Sequence, residues 1–370
     1  MDVPELTTGS AAPSYRVSVD EYISFRKNGF LVVSGLLSSQ EVDEFRQHTE
    51  DLMQGRLREQ TRQMGERELG ADAGVTVQGL EAPPAHLSPE EKAQYFLRIH
   101  MLHHKLELHE RYLLHPRVLD VLEVIIGPDV LALQSMLFLK PPGKPGQGWH
   151  QDSYYIPTHP DTLCGAWAAI DDVDELNGAL WVAKGSNVEP VYPPRDGYGF
   201  GDTRIHDIGS VTGISDPIDD NNDLTRIASK YDQILVSVKA GDVVFFGGHI
   251  LHRSKKNFTT DRMRRSFVGH YCNARSFTQW GDDPDVPGSR QNPLYETTGI
   301  ANGSHILARG DTHLPFAQPL FGTPCAALIS PEERRNQSKA ASALMADMDS
   351  GMMDVRPADP AVDHDHGDNV

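Results

Sequence analysis

The sequence predicts a mainly β fold with flanking helices, built on an antiparallel sandwich or barrel. From residue 129 onward the spacing of the apolar residues changes from helical to strand-like. Short apolar runs then follow one another, bounded by Gly, Asp or Asn: LCGAWAAIDDV, GALWVAKGS, QILVSVKAGDVVFFGG and RRSFVGHYCN. No long helical pattern separates these runs, and this favours antiparallel over parallel pairing of the strands.

The N-terminal part is predicted to be largely helical. Val19, Tyr22 and Ile23 share one face of a first helix, a short strand FLVV follows, and a second helix begins near Gln40 behind a serine cap. The segment ERYLLHPRVLDVLEVIIG has helical apolar spacing and is predicted to end at Gly127. The segment DVLALQSMLFLK after it can form one long strand or two short ones.

Composition excludes several classes of protein. The chain has 370 residues, 39% of them hydrophobic, which is enough for a substantial core. Its formal charge of -18 repels a phosphate backbone, so we expect no nucleic-acid partner. No apolar run reaches the roughly 18 residues of a membrane span, so we expect no membrane partner. The three cysteines lack CxxC spacing, which argues against a disulfide framework and predicts a reducing, cytoplasmic location.

We expect one catalytic or binding domain over residues 15–330. Tails at 1–14 and 340–370 are polar, and we expect them to be disordered. Two insertions, at about 186–233 and 274–325, are too rich in Gly, Pro and polar residues for core strands, and such insertions often form lids or substrate loops. The sequence does not indicate an oligomeric state.

The stretch GWHQDSYYIP places a histidine and an aspartate two positions apart. On a strand, His150 and Asp152 project to one face, while Trp149 and Gln151 project to the other. Taken alone, such a pair is more often a polar strand face than a metal site. A facial Fe(II) site needs a second histidine. Three histidines late in the strand series could supply it: His249, His252 and His270.

Several ordered motifs together are more specific than this pair. The segments NGFLVVSGLLSSQEVDEFR, WHQD, AWAAIDDVDELNGALWVAKGS and AGDVVFFGGHILHRSKKN resemble the phytanoyl-CoA dioxygenase family of Fe(II)/2-oxoglutarate-dependent oxygenases. The resemblance implies a double-stranded β-helix core (jelly roll, cupin-like) with N-terminal helices. It also implies Fe(II), 2-oxoglutarate and O2 as cofactor and cosubstrates. The implied reaction hydroxylates, or otherwise oxidises, an unactivated C–H bond of a small molecule and releases succinate and CO2.

The resemblance also selects the metal ligands. In the family, a serine follows the distal histidine by two positions and an asparagine follows it by five. His252, with Ser254 and Asn257, matches this pattern, whereas His249 does not. The expected ligands, which are also the expected catalytic residues, are His150, Asp152 and His252. Halogenating members carry a small residue in place of the carboxylate, so an intact Asp152 implies oxygenation.

A basic residue on the next strand is expected to bind the far carboxylate of 2-oxoglutarate. Alignment from His252 points to Arg264, one residue farther along than is usual in the family, and Arg265 on the opposite strand face is the alternative. The planar fork of an arginine matches a carboxylate in a way that lysine cannot reproduce. Four further cosubstrate contacts are expected by resemblance or strand alternation: Gln134, Lys140, Trp167 and Ser254.

Several further expectations concern the pocket. His270 would face the same side as Arg264. The expected substrate-contacting residues are Tyr154, Tyr155, Phe200 and Arg204, with Tyr154 placed beside the metal ligands by strand alternation. The acidic run from residue 171 to 175 precedes Asn177 and Gly178, which predict a hairpin with a solvated turn and no second metal site. Two alternatives stay open: a protein or peptide hydroxylase of the same fold, and a jelly-roll protein that binds a ligand without turnover.

Overall fold

The structure describes part of the chain. The computed structural model describes residues 14–54, 56–57, 98–100, 102–104, 106–192, 224–276, 278 and 305–312. All of them belong to one unit, Met1–Leu328. Nearly all of the expected tails, and most of the two expected insertions, lie outside the described residues. None of the described helices is both long enough and apolar enough to cross a membrane.

The described residues contain both helices and strands. The helices are α1 (Val19–Asn28), α2 (Ser39–Met53), α3 (Glu107–Leu113), α4 (Pro116–Ile126), α5 (Asp152–Tyr155) and α6 (Leu224–Ala228). The strands are β1 (Phe30–Val33), β2 (Arg98–His100), β3 (Val130–Lys140), β4 (Gln147–His150), β5 (Cys164–Ala169), β6 (Leu180–Ala183), β7 (Gln233–Val236), β8 (Val243–Gly247), β9 (His252–Ser254), β10 (Arg264–Asn273) and β11 (Ile306–Arg309).

The strands form two antiparallel sheets. The larger sheet has the order β1-β8-β5-β10-β3-β11, with β2 also paired to β3, and the smaller sheet has the order β4-β9-β6-β7. The chain crosses from one sheet to the other at each step from β3 to β6, and again at each step from β7 to β10. This alternation confirms the predicted double-stranded β-helix, and α1 and α2 confirm the predicted N-terminal helices.

Side chains of the larger sheet alternate between two apolar clusters. On β8, Val243 and Phe245 pack with the helices, in a cluster that includes Phe45 of α2 and Leu119 of α4. Val244 and Phe246 of β8 point the other way, into a cluster shared with β6 and β7 of the smaller sheet. The fold is therefore layered as helices, larger sheet and smaller sheet, and the apolar burial between these layers is its main stabilising contribution.

Local signals explain how the N-terminal helices begin. Ser18 and Ser38 each accept a hydrogen bond from the backbone N–H of a glutamate three residues later, and that glutamate bonds back to the serine backbone. These capping boxes satisfy backbone donors that the first helical turn leaves without partners. The predicted serine cap of the second helix is therefore Ser38.

The structure divides one predicted helix and decides between the two alternatives for one predicted strand segment. The helical pattern that ends at Gly127 is divided into α3 and α4, because Pro116 begins a new helix and disfavours helical backbone at the residue before it. The segment that could form two strands is the single strand β3, and it pairs along its length with β10.

Candidate active site

Strand pairing brings two histidines together. His150 is the last residue of β4 and His252 is the first residue of β9, and the two are directly opposite each other in the smaller sheet. Their ring centroids are 4.1 Å apart. Nδ1 of His150 lies 2.8 Å from the carbonyl oxygen of Gly148, and Nδ1 of His252 lies 3.1 Å from that of Ile250. A carbonyl oxygen can only accept, so each Nδ1–H donates a hydrogen bond to its carbonyl, and this leaves the Nε2 lone pair available to a metal.

Asp152 completes this cluster, although it does not lie on the same strand as His150. The strand β4 ends at His150, and Asp152 is the first residue of the one-turn helix α5. Oδ1 of Asp152 nevertheless lies 3.7 Å from Nε2 of His150 and 3.7 Å from Nε2 of His252. The ligand atoms of these three buried residues lie within 4.8 Å of one another, so the donor set fits one metal ion.

The environment of Asp152 keeps its carboxylate ionised. Burial by itself would raise the pKa of Asp152. Three histidines oppose this effect and hold the pKa of Asp152 well below its usual value. The charge of His252 contributes most, followed by the hydrogen bond and charge of His270 and then by the charge of His150. A deprotonated carboxylate beside two imidazoles is the ligand state that a divalent cation requires.

His270 of β10 contacts the other oxygen of Asp152. Its Nε2 atom lies 3.1 Å from Oδ2, and its Nδ1 atom lies 2.9 Å from Nε2 of Gln134 on β3. Gln134 and His270 face each other in the pairing of β3 with β10, and both side chains are buried. The structure thus places His270 beside the predicted ligands, in contact with one of them.

His249 has different partners. Its Nε2 atom pairs with Asp161, and its Nδ1 atom lies 2.7 Å from the carbonyl oxygen of Glu189. Both ring nitrogens are therefore used in contacts outside the cluster. The geometry agrees with the choice of His252 over His249.

Arg264 and Arg265 occupy opposite faces of β10 and have different surroundings. Arg265 forms two hydrogen bonds to Asp171, from Nε at 2.8 Å and from Nη2 at 2.7 Å, and it also pairs with Glu50. Burial would lower the pKa of Arg265, but Asp171 and Glu50 raise it. Its guanidinium is therefore neutralised by side chains of the protein itself.

The guanidinium of Arg264 lies in the interior. Its Nη1 donates to Oγ of Ser266 at 3.0 Å, and its carbon Cζ lies 5.7 Å from the ring centroid of Trp167. Nε of Arg264 has no hydrogen-bond partner among the described residues. Burial lowers the pKa of Arg264 to about 10, although Asp171 opposes that shift. A buried cation in this state favours an anionic ligand.

Lys140 and Ser254 form a polar contact near this arginine. Lys140 is the register partner of Arg264 in the pairing of β3 with β10. Its Nζ donates to Oγ of Ser254 at 2.9 Å and to the carbonyl oxygen of Lys255 at 2.7 Å. Because Ser254 and His252 are two residues apart on β9, one strand face carries both a predicted metal ligand and this contact.

The predicted substrate residues separate into three groups. Tyr154 does not continue the face of His150, since it lies in α5 and packs with Trp149 and Leu251 on the outer side of the smaller sheet. The prediction from strand alternation was therefore wrong for Tyr154. Tyr155 is partly exposed, and its ring centroid lies 6.2 Å from that of His150. Phe200 and Arg204 lie outside the described residues.

Two residues contribute to the site but were not predicted from the sequence. Gln151 is buried and bonds through Nε2 to the carbonyl oxygens of Pro190 and His249, both at 2.9 Å. Phe246 of β8 packs on His252, with ring centroids 4.8 Å apart. The WHQD motif contained a signal for Gln151, because a glutamine on the face opposite two ligands must satisfy its amide elsewhere. No local signal in the sequence pairs Phe246 with His252.

Comparison with known proteins points to one family. The sequence model described as "Phytanoyl-CoA dioxygenase (PhyH)" matches residues 25–266. The Bos taurus protein "Phytanoyl-CoA dioxygenase, peroxisomal" is 28% identical over 263 residues, which are 70% of this chain and 69% of that protein. The Caenorhabditis elegans "Probable phytanoyl-CoA dioxygenase" is 27% identical over 70% of this chain and 76% of its own.

Among solved structures, the non-heme alpha ketoglutarate dependent epimerase SnoN from nogalamycin biosynthesis aligns with a TM-score of 0.49 at 19% identity. The alignment covers 74% of this chain and 91% of that one.

Proposed function

The chain belongs to the phytanoyl-CoA dioxygenase family of Fe(II)/2-oxoglutarate-dependent dioxygenases, and on that premise we propose that His150, Asp152 and His252 bind Fe(II). The observation that carries this proposal is the convergence of these three buried side chains, with both imidazole Nδ1 atoms hydrogen-bonded to backbone carbonyls. Two histidines and one carboxylate leave coordination positions open for a cosubstrate and for O2.

The chemistry supplied by bound Fe(II), 2-oxoglutarate and O2 is the oxidation of a substrate C–H bond, with release of succinate and CO2. The protein contributes orientation and exclusion of water. His150 and His252 are held by their backbone hydrogen bonds, and Phe246 covers one face of His252. Because the ligands are fixed before binding, little reorganisation is needed at the moment of reaction.

We assign the far carboxylate of 2-oxoglutarate to Arg264. Its guanidinium is buried beside Trp167 and has a free Nε–H among the described residues, whereas Arg265 is neutralised by Asp171 and Glu50. Ser254 and Lys140 are proposed to extend this contact, since Nζ of Lys140 reaches Oγ of Ser254. Gln134 is the weakest of the assigned cosubstrate contacts, because its amide nitrogen is directed to His270.

We propose a small molecule as substrate and hydroxylation as the reaction. Tyr155 supports this role, because its ring lies beside His150 and remains partly open to solvent. The named relatives act on phytanoyl-CoA, but this chain has a formal charge of -18, which mildly disfavours strongly anionic ligands. Fold and ligand set are shared across many substrates, so the family name alone does not identify this one.

For compartment, we propose the reducing environment of the cytoplasm. The described cysteines Cys164 and Cys272 are free and buried. Burial raises the pKa of Cys272 to about 12, so this thiol stays protonated and unreactive. The bovine relative is named as peroxisomal, and fractionation of cells expressing this protein would distinguish the two locations.

An anaerobic titration tests the proposed function. Purified protein with Fe(II) and 2-oxoglutarate is expected to develop a metal-to-ligand charge-transfer band, and succinate is expected to form when O2 is admitted. His252→Ala should abolish the band because it removes a ligand. His249→Ala is the matched control and should keep it, because both ring nitrogens of His249 are engaged elsewhere. A folded wild type without the band would refute the proposal.

A further inference from the structure

The second carboxylate oxygen of Asp152 has its own hydrogen-bond partner. Oδ1 faces the two predicted ligand histidines, at 3.7 Å from each Nε2 atom, while Oδ2 lies 3.1 Å from Nε2 of His270. Resting on the proposed function, we infer that His270 is a positioning residue, which holds Asp152 so that a single oxygen is presented to the metal. Gln134 assists by fixing the tautomer of His270.

The contact of Gln134 determines which nitrogen of His270 carries the proton. The side-chain amide of Gln134 places Nε2, a donor, 2.9 Å from Nδ1 of His270. Nδ1 therefore accepts, and in the neutral ring the proton lies on Nε2. Nε2–H of His270 can then donate to Oδ2 of Asp152. The three residues form a directed chain of hydrogen bonds from Gln134 through His270 to the carboxylate.

Burial strengthens the hydrogen bonds from Gln134 through His270 to Asp152. Gln134, Asp152 and His270 are all buried, and β10 lies between β3 and β5 in the larger sheet, so neighbouring strands fix the backbone of His270 on both sides. At such a site a hydrogen bond to a carboxylate is stronger than it would be in water. Rotation of the Asp152 carboxylate would break the bond and leave Nε2–H of His270 buried without an acceptor.

The orientation has a consequence for the reaction. A carboxylate that bound the metal through both oxygens would take one of the positions that 2-oxoglutarate and O2 need. By holding Oδ2, His270 keeps Asp152 a ligand through one oxygen only. The larger sheet, through β3 and β10, therefore controls a ligand that is supplied by the connection after β4 of the smaller sheet.

Two substitutions at His270 separate the hydrogen bond from packing. His270→Leu fills a similar volume and has no donor, whereas His270→Gln can place an amide N–H near the position of Nε2. The measurement is the Fe(II) dissociation constant without 2-oxoglutarate, determined anaerobically by competition with a chromogenic chelator. Loss of a hydrogen bond to a metal ligand weakens metal binding by roughly 10- to 100-fold, and we expect this for H270L. H270Q should stay close to the wild type.

Thermal unfolding of each apoprotein, followed by circular dichroism, shows whether a variant is folded. Should H270L fail to fold, Gln134→Leu provides the second variant, and it is expected to weaken Fe(II) binding because the tautomer of His270 is no longer fixed. Equal affinity in the wild type and a folded H270L, or in the wild type and Q134L, would overturn the inference. So would equal losses in folded H270L and H270Q. Absence of Fe(II) binding by the folded wild type would instead overturn the proposed function itself.

Discussion

Adjacent arginines on β10 show how strongly the surroundings of a residue determine its role. Arg264 and Arg265 have the same chemistry and are one position apart, but strand alternation sends them to opposite faces. The sequence predicted that they differ and favoured Arg264. It could not show that Asp171 and Glu50 neutralise Arg265, because Glu50 lies in α2, far away along the chain.

Replacing each arginine by lysine tests this difference. Arg264→Lys loses the planar fork, so we expect binding of 2-oxoglutarate to weaken by about 10- to 100-fold, the equivalent of one charge-assisted hydrogen bond. Arg265→Lys should lower stability and leave this affinity near the wild-type value. The charge-transfer band at saturating Fe(II) reports the affinity, and urea unfolding reports the stability. A larger loss of affinity in R265K than in R264K would reverse the assignment.

The proposed metal ligands were easier to predict from the sequence than the residues that support them. His150 and Asp152 stand in one short motif, and the family pattern around His252 distinguished it from His249. His270 was expected at the pocket, but its bond to Oδ2 of Asp152 depends on the register of β10 against β3. That register is a tertiary property, and residues more than a hundred positions apart determine it.

At the scale of elements, two local rules failed where the chain passes between sheets. Alternation stopped at His150, because the chain turns into α5 and the N–H of Ser153 bonds to the carbonyl oxygen of Gly248. The Asn-Gly pair at residues 177–178 predicted a hairpin, but β5 and β6 belong to different sheets. A local turn signal fixes the backbone of the turn and does not specify which strands pair.

The turn between β5 and β6 is ordered by its own side chains and not merely solvated. Oδ1 of Asn177 accepts from the N–H of Asp174 at 2.8 Å, and its Nδ2 donates to the carbonyl oxygen of Asp172, also at 2.8 Å. Gly178 follows with φ +87°, and a Cβ there would come within 2.7 Å of the carbonyl oxygen of Lys255. The crossing between sheets therefore depends on both residues of the pair.

Asn177→Ala is expected to destabilise the fold by about 1–3 kcal/mol, because the buried amide of Asn177 is lost and the backbone N–H of Asp174 and carbonyl of Asp172 lose their partner. Glu175→Ala, in the same turn at an exposed position, is the control and should change stability by less than about 0.5 kcal/mol. Urea unfolding at constant pH measures both variants. Equal stability of N177A and the wild type would show that the turn is held by the sheets alone.

At the scale of the whole molecule, His109 marks where the helical layer meets the larger sheet. Its ring lies 5.2 Å from that of Phe45 in α2 and 5.8 Å from that of Phe267 in β10, measured between centroids. His48 lies 5.2 Å away on the other side. Neither ring nitrogen of His109 has a hydrogen-bond partner among the described residues. Only a neutral imidazole suits such a position.

This position couples folding to pH. Burial, and then the charge of His48, hold the pKa of His109 well below its ordinary value, and burial lowers the pKa of His48 to about 4 in spite of Asp51 and Glu44. The unfolded chain binds protons at both residues below about pH 6.5, while the folded protein resists protonation. Their contribution to stability is therefore fully present above that pH and is lost as the pH falls.

Replacement of His109 by leucine should flatten the dependence of stability on pH. Below about pH 6.5, the wild type is expected to lose about 1.4 kcal/mol of unfolding free energy per pH unit more than His109→Leu, since one proton fewer is taken up when the variant unfolds. Urea unfolding at a series of pH values between about 7 and 5 gives both curves, and their difference removes the contribution of the other acidic and histidine side chains.

His249→Gln supplies the control of opposite sign. The hydrogen bond to Asp161 raises the pKa of His249 although its burial opposes this, so its contribution is present below the unfolded pKa and is lost as the pH rises. With the series extended up to about pH 8, H249Q should therefore lose stability more steeply than the wild type as the pH falls toward about 6.5, whereas below about pH 6.5 H109L loses it less steeply than the wild type. Parallel curves for H109L and the wild type would mean that His109 takes up a proton as readily in the folded protein as in the unfolded chain. The helical layer would then have to accommodate a charge between Phe45 and Phe267, and the apolar contact between the two layers could not be continuous there.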